Sequence, residues 1–353
     1  MILFLFLYVM AMRVSSLRPL SCIYGVSRNN YLSDKLNLIP KIHNYFKSRT
    51  IFAQHMDIEH SPKTSKVIDS HLHVWASPEE AAEKYPYFPG QEPNIPGHVD
   101  FLLECMEKAG VDGALIVQPI NHKFDHSYVT SVLRKHPTKF VGCCLANPAE
   151  DGSGIKKLED LVLKDGYRAV RFNPYLWPPG QKMTNDIGKA MYSKAGELRV
   201  PVGFMCMKGL NLHLSEIETL CTEFPSTIVL LDHLAFCKPP SNDEEHKHFD
   251  ELLKLSRFPQ VYIKFSALFR VSRTPYPYED LSELLSQVVS SYGANRVMWG
   301  SDFPFVVSEC GYTEAKDVVL QIAQKVPLSP SELEWIMGKT ITHISHMFMD
   351  QWH

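Results

Sequence analysis

Two histidines one residue apart, His71 and His73 in the run VIDSHLHVW (67–75), mark the place where this sequence could do chemistry. In an extended chain alternate side chains share a face and stand roughly 6.6 Å apart along the strand. The two imidazoles would then look at one spot, with Leu72 on the opposite face. Such a pair can hold a metal ion or polarise a substrate oxygen. Other apolar runs also close on polar residues: Arg171 and Asn173, Asp232 and His233, Lys264 and Ser266, and Asp302. An aspartate among imidazoles stays ionised, because cationic neighbours lower its pKa, and can take a proton from water.

What could bring these residues together is the order of elements. From residue 66 onward, β-rich runs alternate with segments of helical period. The strands are expected at 66–75, 112–119, 139–148, 167–174, 200–207, 226–235, 260–268 and 296–304. Helical patterns occupy 98–109, 125–136, 154–165, 185–199, 212–224, 246–257, 279–292, 313–326 and 330–347. Such alternation calls for parallel strands joined by right-handed crossovers. Eight repeats close as a (β/α)8 TIM barrel, whose usual length of about 250 residues suits the body at 66–353. An open doubly wound sheet is the rival, but no glycine-rich dinucleotide or phosphate turn follows any strand.

In a barrel the chemistry sits at the C-terminal ends of the strands, so the fold itself would gather these groups at one mouth. His71, His73 and Asp302 form the expected centre, since the first and eighth strands are neighbours in a closed barrel. His233 joins them from the sixth strand, while Asp232 is expected to turn away and cap the next segment. Arg171, Asn173, Lys264, Trp75 and Tyr175 are the expected substrate contacts, with Arg270 a weaker one; each could instead pair or pack structurally. The loop at 76–97 is too long for a plain connection and is expected to cover the site. The HKH run at 246–248 and the pair His343 and His346 lie on helical segments away from the mouth and read as incidental.

Bulk properties narrow the function classes. The 353 residues carry a net charge of −3, with 45% hydrophobic and 21% charged residues, as in a soluble globular protein without the positive field that nucleic acid selects. Residues 1–55 hold seven basic side chains and one acid, so this stretch is +6 and the remainder −9. A serine-bearing basic leader of this kind predicts an organellar transit segment, plastid or mitochondrial. An extension ahead of a cytoplasmic enzyme starting near Met56 is the alternative. The opening MILFLFLYVMAM is too short to span a bilayer, and no membrane partner is expected. Eight cysteines without a CxxC pair or regular spacing read as reduced thiols.

IDSHLHVW (68–75), KYPY (84–87), LDHLA (231–235) and WGSDFPF (299–305) together resemble the amidohydrolase superfamily. The branch they resemble is that of 2-pyrone-4,6-dicarboxylate lactonases, sugar-lactone hydrolases and related amidohydrolase-2 proteins. The likeness runs over 66–345. It implies a (β/α)8 barrel that hydrolyses a small lactone, ester or amide, with His71 and His73 on a metal or the scissile carbonyl and Asp302 activating water. Metal-dependent members usually carry a histidine at the end of strand 5, where this chain has GFMCMKG (203–209) with Cys206. The expectation is therefore no metal, or one divalent ion, zinc first, on His71, His73 and Asp302 with His233 or Cys206. The expected partner is an anionic or polyhydroxylated small molecule; a homo-oligomer stays open. The alternatives are a metal-dependent decarboxylase of a small carboxylic acid and a non-catalytic barrel that binds a small ligand.

Overall fold

The computed structural model describes residues 65–344. The basic leader and His346 lie outside the described residues. Eight parallel strands follow one another around a single sheet in chain order. They are β1 (Ile68–Leu72), β2 (Gly113–Val117), β3 (Phe140–Leu145), β4 (Tyr167–Phe172), β5 (Val202–Phe204), β6 (Val229–Leu231), β7 (Val261–Ser266) and β8 (Val297–Gly300). All eight fall inside the expected runs, and each is shorter than its run. Neighbours pair from β1–β2 through to β7–β8. The seam between β8 and β1 is drawn together just past the strand ends: Asp302 N donates to His71 O at 2.8 Å, and His73 N to Phe303 O at 2.7 Å. The sheet is a nearly closed barrel.

Two kinds of core follow from this closure. Inside, Ile68, Leu115, Val117, Val141, Cys143, Ala169, Leu230 and Met298 form an apolar plug. Ile341 and Ile344 of the last helix pack into the same cluster and so seal the floor. Outside, the longer helices lay apolar stripes on the strands. In Val99–Ala109 the buried positions are 99, 102, 106 and 109, one face at helical spacing. The expected single helix at 330–347 is instead broken. A capping box at Ser329 and Glu332 opens Pro330–Glu334, a wider π turn spans Trp335–Lys339, and Thr340–Ile344 follows. Gly338 in that turn lies so near β1 that a Cβ would meet Lys66 O at 2.1 Å. Close backbone approach is the reason for glycine there.

The loop at 76–97 is built, not merely long. It holds a short helix, Pro78–Glu83, with a capping box at Ser77. His122 clasps both ends of that helix, accepting from Ala76 N at 3.3 Å and facing Pro86 O at 3.0 Å. All seven cysteines in the described residues are free. No helix among them is long and apolar enough to cross a membrane.

Candidate active site

β1 presents its histidines through an irregularity. The β1–β2 register shifts between Asp69 and Leu72, and Leu72 turns outward into the shell of the barrel. A buried carboxylate that the sequence reading passed over, Asp69, holds this turn. Its Oδ1 accepts from His71 N at 3.1 Å and Ser301 N at 2.9 Å, and its Oδ2 accepts from Tyr312 OH at 3.0 Å. Asp69 thus ties β1 to the end of β8. Burial pushes its carboxyl up to about 6, against those hydrogen bonds. The only sequence signal for it was an acid inside an otherwise buried strand.

Asp302 leaves β8 with φ +65°, a left-handed conformation that costs an aspartate roughly 1 kcal/mol or more. That turn aims its carboxylate across the mouth. Oδ1 stands 3.5 Å from His73 Nε2, 4.0 Å from His71 Nε2 and 4.0 Å from His233 Nε2. Oδ2 accepts from Arg270 Nε at 2.7 Å. Arg270, expected as a weak substrate contact, therefore holds the carboxylate, and its guanidinium is braced 4.8 Å from the rings of both Phe269 and Phe305. Burial opposes the charge on Asp302, but the imidazoles around Oδ1 and Arg270 on Oδ2 outweigh it and keep the carboxyl well below the usual range. It is ionised at neutral pH.

The histidines are held by their other nitrogens. His73 Nδ1 faces the carbonyl of Val117 at 2.8 Å. His233 Nδ1 meets Ser266 Oγ at 2.8 Å. His233 also begins four consecutive left-handed residues, with φ of 53°, 55°, 51° and 61° through Phe236. A run of four non-glycine residues in this region is costly, and it turns the chain sharply enough to bring the ring under Asp302. Desolvation lowers His71 well below the ordinary histidine value and His233 to about 4.

Beneath this mouth lies a layer of buried charge, and here one expectation is overturned. Asp232 does not turn away to cap the next segment; it points into the barrel. Its Oδ1 is 3.2 Å from His71 Nδ1 and 3.1 Å from Lys264 Nζ, and its Oδ2 is 2.9 Å from Arg171 Nε. Burial works against its charge, yet Lys264, His71 and Arg171 together hold it well below the carboxylate range. Lys264 and Arg171, expected as substrate contacts, have Asp232 as their ion-pair partner. The left-handed turn after residue 232 is what sequence periodicity does not encode.

The remaining expected residues are dispersed. Asn173 caps the turn after β4, accepting from Tyr175 N at 3.1 Å. Tyr175 OH accepts from Lys208 N at 2.8 Å, linking the loops after β4 and β5. Trp75 is buried, donates from Nε1 to Ile95 O at 3.2 Å and packs on Phe305. Cys206 belongs to the outer apolar core and does not join the metal-ligand set. His246 and His248 lie on the helix Asp243–Lys254, and His343 rests against Trp335 at the floor.

Among the described residues, the set that could hold a metal is His71, His73 and Asp302, whose ligand atoms all lie within 4.8 Å of one another. His71 Nε2 is buried without a hydrogen-bond partner. Two nitrogens and a carboxylate oxygen suit one divalent cation with an open position, so the donor set fits.

The amidohydrolase family model matches residues 68–343, and the chain belongs to that family. It is 25% identical to a 4-sulfomuconolactone hydrolase of Rhizobium radiobacter over 70% of this chain and 77% of that protein. It is 24% identical to an L-fucono-1,5-lactonase of Burkholderia ambifaria over 67% of this chain and 80% of that one. Its fold matches a protein from Acinetobacter baumannii described as a "probable" 2-pyrone-4,6-dicarboxylic acid hydrolase, with a TM-score of 0.64 and 18% identity, covering 80% of this chain and 99% of that one.

Proposed function

We propose that this amidohydrolase-family chain hydrolyses a small lactone bearing a carboxylate or several hydroxyls. One observation carries the reading: a buried, ionised carboxylate oxygen, Asp302 Oδ1, faces three imidazole Nε2 atoms at 3.5–4.0 Å. The two relatives named as lactone hydrolases support it.

In the forward step Asp302 takes a proton from water as its oxygen attacks the lactone carbonyl carbon. His73, with Nδ1–H given to Val117 O, offers Nε2 as an acceptor that orients the same water. His71 and His233 donate from Nε2 to the oxygen that becomes negative, the kind of stabilisation that is usually the largest catalytic contribution. Collapse breaks the acyl–oxygen bond, and the proton on Asp302 passes to the departing alkoxide. The product is the open hydroxy acid. A divalent cation, when bound, would be held by His71, His73 and Asp302 and would supply Lewis-acid polarisation of the carbonyl.

A panel of sugar lactones and carboxylated lactones tests the reading, followed by proton release and product analysis with and without chelator. Ring opening of at least one member, lost in Asp302→Asn, is expected. Near-native turnover by Asp302→Asn would remove the water-activating role.

A further inference from the structure

His71 can serve this site in two ways that exclude each other. A neutral imidazole carries one proton. With the proton on Nε2 the ring donates to a substrate oxygen; with the proton on Nδ1 it can ligate a metal through Nε2. The surroundings of Nδ1 decide between them.

His71 Nδ1 is 3.2 Å from Asp232 Oδ1 and 3.2 Å from Lys264 Nζ, while Lys264 Nζ is 3.1 Å from the same Oδ1. The three atoms form a nearly equilateral triangle. A proton on Nδ1 would leave two donors, Nδ1–H and the Lys264 ammonium, in contact at 3.2 Å. A proton on Nε2 leaves Nδ1 as a lone pair. Lys264, with three donors and no acceptor, then gives one N–H to Nδ1 and another to Asp232. The two ends of the ring differ in charge: Lys264 stands beside Asp232 at Nδ1, whereas before Nε2 the carboxylate of Asp302 favours a proton there. At the far side of the ring, Nε2 is buried, unpartnered and 4.0 Å from Asp302 Oδ1.

We propose that Lys264 is a positioning residue that holds His71 in its Nε2–H tautomer, making it a hydrogen-bond donor to substrate and weakening it as a metal ligand. The role assigned to His71 rests on the lactone-hydrolase reading. His73 is the opposite case on the same strand. Its Nδ1 faces a backbone carbonyl, which can only accept, so its neutral ring keeps the lone pair on Nε2. One strand thereby supplies a donor and an acceptor to either side of the reacting carbonyl.

Long-range 15N–1H spectra of the metal-free full-length chain, labelled on histidine, read the tautomer directly, with His71→Gln identifying the signal. Wild type is expected to show protonated Nε2 and bare Nδ1 at His71. Lys264→Met is expected to move the proton to Nδ1, to strengthen Zn2+ binding by about tenfold in equilibrium dialysis, and to lower kcat by about 10–100-fold, as loss of such supporting contacts typically does. Lys264→Arg should restore the wild-type tautomer. A wild-type spectrum with protonated Nδ1, or an unchanged tautomer in Lys264→Met, overturns the assignment; where Lys264→Met fails to fold, the wild-type spectrum decides alone. Lactone turnover on the same samples separates the two claims. Turnover with protonated Nδ1 rejects the role of Lys264 alone, and no turnover with protonated Nε2 rejects the hydrolase reading alone.

Discussion

The two ends of the barrel interior are made by the same strands and obey opposite rules. At the floor, β4, β6 and β8 contribute Ala169, Leu230 and Met298, closed off by Ile341 and Ile344. Two residues further along, β4 and β6 deliver Arg171 and Asp232, and β7 delivers Lys264, all nearly inaccessible to water. The floor is stabilised by apolar area removed from water. The mouth instead buries charge, which costs several kcal/mol per ion unless it is paired, and it holds left-handed backbone at residues 233–236, 267 and 302. Apolar burial is concentrated at one end and buried charge at the other, roughly 6.6 Å apart along each strand.

The sharpest way to break this contrast is Asp302→Asn. It should lower lactone turnover by about three orders of magnitude, within the range of general-base assistance, while costing less stability than Asp232→Asn, because its ion-pair partner Arg270 reaches solvent. A large loss of stability instead would make Asp302 a structural residue. Next, Asp232→Asn leaves Arg171 and Lys264 without their buried counter-charge. Removing one partner of a buried pair costs about 3–5 kcal/mol, so urea titration should show a destabilised protein as well as a slower one. An unfolding free energy close to wild type would mean that the charge layer contributes little to the fold.

At the floor the prediction reverses. Ile341→Ala should lose about 2–5 kcal/mol of stability through the cavity it opens, with kcat within about threefold of wild type. A strong effect on turnover would show that the two ends are coupled. A test away from both ends uses His126, whose imidazole accepts from Leu145 N at 3.0 Å and faces Phe124 O at 2.9 Å. Burial depresses it to about 4. A histidine whose folded pKa lies below its unfolded value of 6.5 is bound to more protons when unfolded. Its contribution is therefore complete above pH 6.5 and is lost as pH falls toward 4. The lowering amounts to about 3 kcal/mol at most. His126→Gln should flatten that part of the stability–pH curve, and an unaltered slope would assign the acid sensitivity to other groups.

Much of the candidate site was legible because the barrel converts chain order into position. Alternating apolar runs and helical periods placed eight strands, and the last polar residue of a run had to lie near the mouth. His71, His73, His233 and Asp302 were found in that way and do converge. The residues behind them were less legible. Asp69 looks in sequence like one more acid, although it accepts from His71 N in its own strand, from Ser301 N across the β1–β8 seam and from Tyr312 OH. Arg270 reads from sequence as a substrate contact, yet its Nε is engaged by Asp302.

Composition and periodicity along the chain determined the strand order and which side chains end each strand, because these depend only on near neighbours. Whether Asp232 faces inward, whether Lys264 meets His71 from 193 positions away, and where the chain turns left-handed were decided by the closed barrel. Those outcomes depend on φ at single residues just past the strands and on partners brought close only when the sheet curls round. No local pattern carries that information.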